Sequence, residues 1–148
     1  MKNMNREILF RGKHIHAMDS NEHLNGTWVH GYLSDKNYIY DKSLEGEFLV
    51  DEDTICQYTG LTDKNGKKIF EGDVVKDSAG VCGEVKFGLY AAGFSIPDTN
   101  QGFYIEFPEE SLYRKELGYW ENKVVVIGNI YDSPKLLDDK ENKHGEDI

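Results

Sequence analysis

Residues 57–76 constrain the fold more than any other segment, because they place two turns between short β-branched runs. Asn65-Gly66 predicts the two positive-φ positions of a tight hairpin turn. Glu71-Gly72-Asp73 predicts a second turn, and this turn leads directly into the pair Val74-Val75. The segment therefore predicts closely spaced antiparallel strands.

The rest of the chain also favours strands. Aromatic residues make up 12% of the sequence, and 15 glycines separate the apolar runs. Strand-like alternation or β-branched composition recurs at residues 8–10, 27–33, 38–40, 47–50, 73–76, 81–87, 102–107 and 123–127. These features predict an all-β protein of short strands and tight turns.

Two short helical turns are expected between the strands. Asp51 can cap a turn that runs toward Tyr58 and stops at Gly60. Pro108 can open a second turn over residues 109–117, where acidic side chains suit the helix dipole. Residues 11–25 and 88–101 are predicted as exposed loops, since they are polar or rich in Gly, Ala and Asn.

The length of 148 residues suits one domain. A Gly-Asp-aliphatic strand, a tight turn and a second β-rich strand form an arrangement seen in small SH3-like barrels. We therefore predict a single compact β domain over residues 1–137, with an N-terminal β-meander at 6–56 and an SH3-like barrel portion at 57–137. Residues 138–148 are mostly charged and are predicted to form an acidic disordered tail.

The formal net charge is −10, from 27 acidic and 17 basic residues. Such a chain repels nucleic-acid phosphates and anionic membranes on average, and the same charge favours solubility or a basic partner. Since no apolar run approaches the roughly 20 residues that span a bilayer, a cytoplasmic location is expected. Cys56 and Cys82 are too few for a disulfide framework and are expected to be unreactive thiols.

Four stretches carry a family resemblance. In chain order they are residues 6–12, residues 28–33, the segments Gln-Tyr-Thr-Gly-Leu, Asp-Lys-Asn-Gly-Lys and Glu-Gly-Asp within 57–76, and residues 126–134. Their sequences and their order along the chain resemble the YopX-like family of phage and prophage proteins, over about residues 6–137. The resemblance implies a phage setting, but the family has no established biochemical activity.

The candidate metal ligands lack a diagnostic spacing. Four histidines cluster in the N-terminal part of the chain, at His14, His16, His23 and His30. No Cys or acidic residue stands at a zinc-site distance from them. A calcium loop at Asp63 fails because its twelfth position would be Gly72, where a bidentate Glu is required. We predict no metal and no cofactor.

No catalytic group is assigned. Glu71 with Asp73, and Glu106 with Glu109 and Glu110, are carboxylate clusters that turn and helix-start chemistry explains. The sequence lacks a Walker loop, a dinucleotide fingerprint and a complete Gly-x-Ser-x-Gly elbow. We expect a protein that is not an enzyme, although a small hydrolase with an unrecognised carboxylate site is kept as an alternative.

A nucleic-acid site is the other alternative. Five lysines lie near the expected hairpins, with two aromatic residues close by in sequence: Lys64, Lys67, Lys68, Lys76 and Lys86, with Tyr58 and Phe70. Such a patch could contact phosphates and stack on bases. The favoured hypothesis is a non-catalytic phage or prophage accessory protein that acts by protein–protein contact or self-assembly, with nucleic acid disfavoured as a partner and no membrane partner expected.

Overall fold

The computed structural model describes residues 7–15, 26–91, 99–108 and 114–137, and within them the chain is mainly β. The strands are β1 (Phe10–Lys13), β2 (Trp28–Asp35), β3 (Tyr38–Asp41), β4 (Gly46–Leu49), β5 (Cys56–Thr62), β6 (Lys68–Phe70), β7 (Asp73–Lys76), β8 (Cys82–Ala91), β9 (Thr99–Glu106) and β10 (Val125–Asn129). A 3-10 turn at Glu52–Thr54 and a helix, α1 (Leu117–Trp120), complete these elements. The all-β prediction is confirmed.

The chain divides into two compact units, and the first ends at Gly60. Its strands lie in the order β4-β3-β2-β1-β5, and neighbouring strands are antiparallel. The side chains of Val29, Ile39, Phe48 and Val50 are buried together, with Phe10 and Ile55 packed against them. The period-two alternation of β2 and β3 therefore buries one side of this sheet.

The second unit begins at Leu61 and holds its own sheet, in the order β10-β7-β8-β9. Each neighbouring pair in this sheet is antiparallel. β6 comes after β5 in the chain, a turn joins the two strands, and they are neighbours in the sheet. The core of the unit joins the sheet to the helix region and consists of Ile69, Val75, Val85, Ile105, Phe107, Leu117, Trp120, Val124 and Val126.

Two turns of the second unit share one design, an Asp followed three residues later by a Gly. In the first, the Asp63 N–H donates to the Lys67 carbonyl and Gly66 adopts φ +84°. In the second, Asp77 pairs with Val81 and Gly80 adopts φ +89°. In each turn the Asp carboxylate accepts backbone N–H groups two and four residues later. Asp holds the turn closed, and Gly supplies the left-handed position.

The predicted type of the first turn was wrong. Asn65 was expected at positive φ, yet the non-glycine residues with positive φ in the described ranges are Glu45 and Asn122. The Asp63 side chain stabilises a longer loop in which only Gly66 is left-handed. This loop is a type I turn followed by a glycine bulge rather than a two-residue hairpin turn.

The predicted loops were too long. Residues 11–13 belong to β1, and Arg11 is buried although its segment is polar. β8 continues to Ala91 and β9 begins at Thr99, so strand pairing covers both ends of the expected 88–101 loop. Gly88 and Gly102 lie opposite each other in this hairpin. Pairing with a partner strand, which composition does not reveal, gives these Gly-rich ends their strand conformation.

The expected helical turns form in part. Asp51 caps the 3-10 turn by accepting the Asp53 N–H, but the turn ends at Thr54 because Ile55 is already extended. Gly60, predicted as its stop, lies inside β5. The second turn was expected over 109–117, but α1 begins only at Leu117, and Glu116 is extended and forms a bridge with Tyr104. Residues 109–113 lie outside the described ranges.

The SH3-like barrel stays a prediction, and so do the domain boundaries. The acidic tail at 138–148 lies outside the described residues. Among the helices that the structure describes, none is long and apolar enough to cross a membrane.

Candidate functional site

A cavity of about 210 Å³ opens in the second unit between the β6–β7 turn, β8 and the segment after β10. We call it the carboxylate pocket, and its lining consists of Glu71, Gly72, Glu84, Val85, Lys86, Phe87, Ile130 and Tyr131. The Gly72 N–H donates to the Val85 carbonyl, and the Ile130 N–H donates to the Gly72 carbonyl. Gly72 adopts φ +90°, which lets one residue bond both neighbouring segments. Two stretches of the family resemblance thus meet at this pocket.

The electrostatics of the pocket centre on one lysine and three carboxylates. The Lys86 Nζ atom lies 2.5 Å from Oε1 of Glu106, and this hydrogen bond is the main reason that the pKa of Lys86 is raised. Glu84 stands opposite Glu106 in the β8–β9 register. Partial burial raises the pKa of Glu84, Lys86 opposes this effect, and the charges of Glu106 and Glu71 reinforce it. Glu84 is therefore easier to protonate than an ordinary glutamate.

The structure separates the carboxylates that the sequence grouped. Asp73 is buried and accepts the Phe70 N–H at 2.7 Å, so it stabilises the turn, while its sequence neighbour Glu71 lines the pocket. Glu106 is paired with Lys86, and Glu109 and Glu110 lie outside the described residues. Glu84 was missed because only the pairing of β8 with β7 and β9 brings it to Glu71 and Glu106.

A second candidate surface lies on the first unit. Strand register places Tyr32 opposite Tyr40, and Tyr38 lies two residues before Tyr40 on the same side of the sheet. These three side chains form what we call the tyrosine face, and Tyr32 keeps 62% of its surface exposed. Beside it runs a groove of about 410 Å³ that is lined by Glu7, Ile8, Phe10, Tyr32 and Leu33. Large apolar groups that stay exposed in this way are typical of contact surfaces.

The groove and the tyrosine face carry acidic neighbours. Glu7 lines the groove, and Glu47 lies opposite Tyr40 in the β3–β4 register. Asp35 ends β2 next to the exposed residues. The surface therefore combines an apolar centre with negative charge at its margin. It is chemically suited to a partner with apolar and basic side chains.

The predicted lysine and aromatic patch is not formed as a stacking surface. Tyr58 and Phe70 are both buried, at 8% and 4% exposure. Lys86 is engaged by Glu106. Aromatic rings that lie in a core cannot stack on bases, so this patch lacks the part that would bind single strands.

The histidines do not assemble a metal site in the described part of the chain. His14 is buried, its Nδ1 atom lies 2.8 Å from the Leu49 carbonyl, and its ring contacts Phe48 edge-on. His30 lies on β2, where partial desolvation of its ring lowers its pKa, the positive charge of Arg11 adds to the effect and the charge of Asp41 opposes it. His16 and His23 lie outside the described residues. Within those residues, no group of three or more His, Cys, Asp or Glu side chains could hold a metal ion.

Asp63 is a structural carboxylate rather than a calcium ligand. Its Oδ1 atom accepts the N–H groups of Asn65 and Lys67, and Oδ2 accepts the N–H of Val126 at 2.9 Å. Both oxygens are thus occupied by backbone donors. The cysteines are also separate features, since Cys56 is buried and Cys82 is half-buried, and both are free thiols.

Comparison with known proteins identifies a family. The family model described as YopX protein matches residues 9–138, which is most of the chain. No curated protein matches the sequence.

Proposed function

We propose that this chain, which belongs to the YopX family, acts as a non-catalytic protein–protein interaction module in a phage or prophage setting within the host cytoplasm. The observation that carries the proposal is the tyrosine face with its groove. It offers three exposed tyrosines on one side of the sheet of the first unit, and the groove that Tyr32 shares adds the exposed side chains of Ile8 and Leu33. Aromatic side chains with wide exposure supply large contact areas, and they are enriched at protein interfaces.

The expected partner is a protein with an apolar centre and a basic rim. Glu7 and Glu47 supply negative charge beside the groove and the tyrosine face, and the net charge of −10 attracts a basic protein over longer range. The same charge repels nucleic acid, and the buried Tyr58 and Phe70 leave no base-stacking pair at the predicted lysine patch. A protein partner is therefore favoured over a nucleic acid.

The proposal is tested by comparing three forms of the full chain as bait in host lysate. The double variant Tyr32→Ser with Leu33→Ser removes two of the four apolar side chains that line the groove, and Lys36→Ala, in the neighbouring turn, is the matched control. We expect a basic protein that binds the natural chain and the control but not the double variant. Binding must be reproduced with the purified partner. Equal capture by all three forms, or capture by none, would contradict the proposal.

A small hydrolase is a second candidate function, and one observation favours it. Glu84 has a raised pKa in a pocket that also holds Glu71 and Lys86, and a carboxyl with a raised pKa beside a second carboxyl group is an arrangement used in general acid–base catalysis. A screen of ester, glycoside and phosphate substrates tests it. Hydrolysis that is lost in Glu84→Gln and kept in the groove double variant would support this candidate, and no turnover of any substrate would remove it.

A further inference from the structure

The outer edge of β9 differs from most edge strands in carrying no charged side chain before its last residue, Glu106. Residues 99–105 are all uncharged, and so are residues 87–91 of β8, which face 99–103, in a chain of which 30% is charged. The uncharged stretch of β9 is bounded by Asp98 and Glu106. Edge strands usually carry charges that prevent pairing with other chains. This edge lacks that protection over seven consecutive residues, as counted in the sequence.

The backbone of β9 shows which groups are available for pairing. The Ile105 N–H points away from β8, because it donates to the Lys115 carbonyl at 2.9 Å. In an antiparallel strand the backbone groups of successive residues point to alternate sides. Because the β8–β9 register is regular, the backbone N–H and C=O groups of Phe103, Gln101 and Thr99 also point away from β8. A bridge between Tyr104 and Glu116 covers the edge at its far end. Among the described residues, the outward groups that remain are those of Thr99 and Gln101 and the N–H of Phe103.

The side chains next to this edge are apolar and exposed. Phe87 and Leu89 project from the side of the hairpin that carries the core residues Val85 and Ile105, yet they retain 52% and 68% of their surface. Phe103 packs edge-on against Phe87, with ring centroids 4.9 Å apart. A further strand added beside β9 would extend the sheet and cover part of this apolar side.

We infer that β9 pairs antiparallel with β9 of a second copy of this chain, with Gln101 opposite Gln101 of that copy. With a two-fold axis through this pair, the N–H of each Gln101 donates to the carbonyl of Gln101 in the other copy. The N–H of each Phe103 then donates to the Thr99 carbonyl of the other copy. The Gln101 amide carries a donor and an acceptor, so it is also complementary to itself.

The lack of charge at this edge is compatible with pairing between two copies of an acidic chain. Two chains of net charge −10 repel each other wherever their charged surfaces meet, and the uncharged β9 edge lets them approach without placing like charges opposite each other. The inference rests on the proposed binding role and names one partner for it. It uses the second unit, whereas the tyrosine face lies on the first.

The first test measures the mass of the full chain in solution. We expect about twice the chain mass of 17.0 kDa for the natural sequence. Gln101→Pro removes the outward N–H at the centre of the pairing and leaves the bonds between β8 and β9 in place, so it should run at the single-chain mass with an unchanged circular dichroism spectrum. A single-chain mass for the natural sequence, or a doubled mass for a folded Gln101→Pro, would overturn the inference.

The second test reads the register by disulfide formation in a Cys82→Ser background. Opposed residues in a hydrogen-bonded pair have Cα atoms about 5.5 Å apart, which is within disulfide range. Gln101→Cys should therefore give a covalent dimer on oxidation. Thr99→Cys is the matched control, because the axis places its two copies roughly 13 Å apart. Equal or preferred cross-linking of Thr99→Cys would overturn the inference, and this arm decides the question even if Gln101→Pro does not fold. The capture result with the tyrosine face is independent of both tests.

Discussion

At the scale of single residues, buried or half-buried Asp side chains organise the turns of this fold. Asp63 is 2% exposed and accepts three backbone N–H groups, one of them from Val126 on the distant strand β10. Asp77 accepts two N–H groups, both on Oδ1, and both belong to its own turn. The two carboxylates thus share a local role, and only Asp63 also fixes a second segment of the chain.

We predict that Asp63→Asn lowers the free energy of unfolding of the second unit by about 2 to 3 kcal/mol, since one amide NH2 group must face a buried N–H donor. Asp77→Asn should change it by less than about 1 kcal/mol, because the Asn carbonyl oxygen can keep both bonds. Urea unfolding followed by Trp120 fluorescence in a Trp28→Phe background measures both variants. Equal losses for the two variants would contradict this account.

The same carboxylate gives stability a defined pH dependence. Burial alone would raise the pKa of Asp63, but the N–H donors of Val126, Lys67 and Asn65 outweigh it and lower the pKa. A lowered pKa stabilises the fold above the unfolded value of about 4, and this stabilisation is lost as pH falls through the folded value. The difference in unfolding free energy between the natural chain and Asp63→Asn should therefore shrink below about pH 4.

Glu84 is predicted to have the opposite effect on stability. Its pKa is raised, mainly by burial, so its ionised form destabilises the fold at neutral pH. Glu84→Gln should raise the unfolding free energy at pH 7 by about 0.5 kcal/mol or less, given its partial exposure. The gain should disappear at pH values below the unfolded pKa, where Glu84 is protonated in both states. Thermal unfolding across this pH range is the measurement, and destabilisation at pH 7 would refute the prediction.

At the scale of strands, close backbone contact fixes the β2–β3 pairing. A Cβ atom on Gly31 would lie 1.8 Å from the Tyr40 carbonyl oxygen, so only Gly can occupy this position without moving the strand. A Cβ atom on Gly46 would meet the Phe48 ring at an ordinary 3.7 Å. Both glycines lie in strands of the first unit, and they differ in what surrounds them.

We predict that Gly31→Ala destabilises the first unit by about 3 kcal/mol, the upper end of overpacking costs, because a backbone atom must move. Gly46→Ala should be tolerated within about 1 kcal/mol. Trp28 fluorescence in a Trp120→Phe background reports on this unit. If the Gly31→Ala chain is as stable as the Gly46→Ala chain, β2 and β3 can move apart without a loss of stability, and the prediction is wrong.

The strands themselves show what the sequence could predict. Alternation indicated β2, β3 and β4 near their observed positions because these strands bury alternate residues, and the β-branched pair Val74-Val75 indicated β7 because both side chains are buried. The ends of the β8–β9 hairpin were missed, since Gly88 and Gly102 gain strand conformation only by facing each other. The carboxylate pocket was missed for the same reason, because register and not spacing brings Glu84 to Glu106.

At the scale of the whole molecule, net charge separates the two kinds of binding proposed for this chain. Association of two copies brings together two chains of net charge −10, whereas the tyrosine face is proposed to bind a basic protein. Salt screens both interactions, but one is a repulsion and the other an attraction. The two complexes should therefore respond to salt in opposite directions.

We predict that raising the ionic strength from about 0.1 M to about 1 M, which shortens the screening length from about 10 Å to about 3 Å, strengthens self-association and weakens partner binding. Sedimentation equilibrium of the natural chain at the two salt concentrations measures the first effect. The salt required to elute the basic partner from immobilised chain measures the second. A dimer that dissociates as salt rises would indicate that charged residues form the contact, and the pairing of uncharged β9 edges would then be wrong.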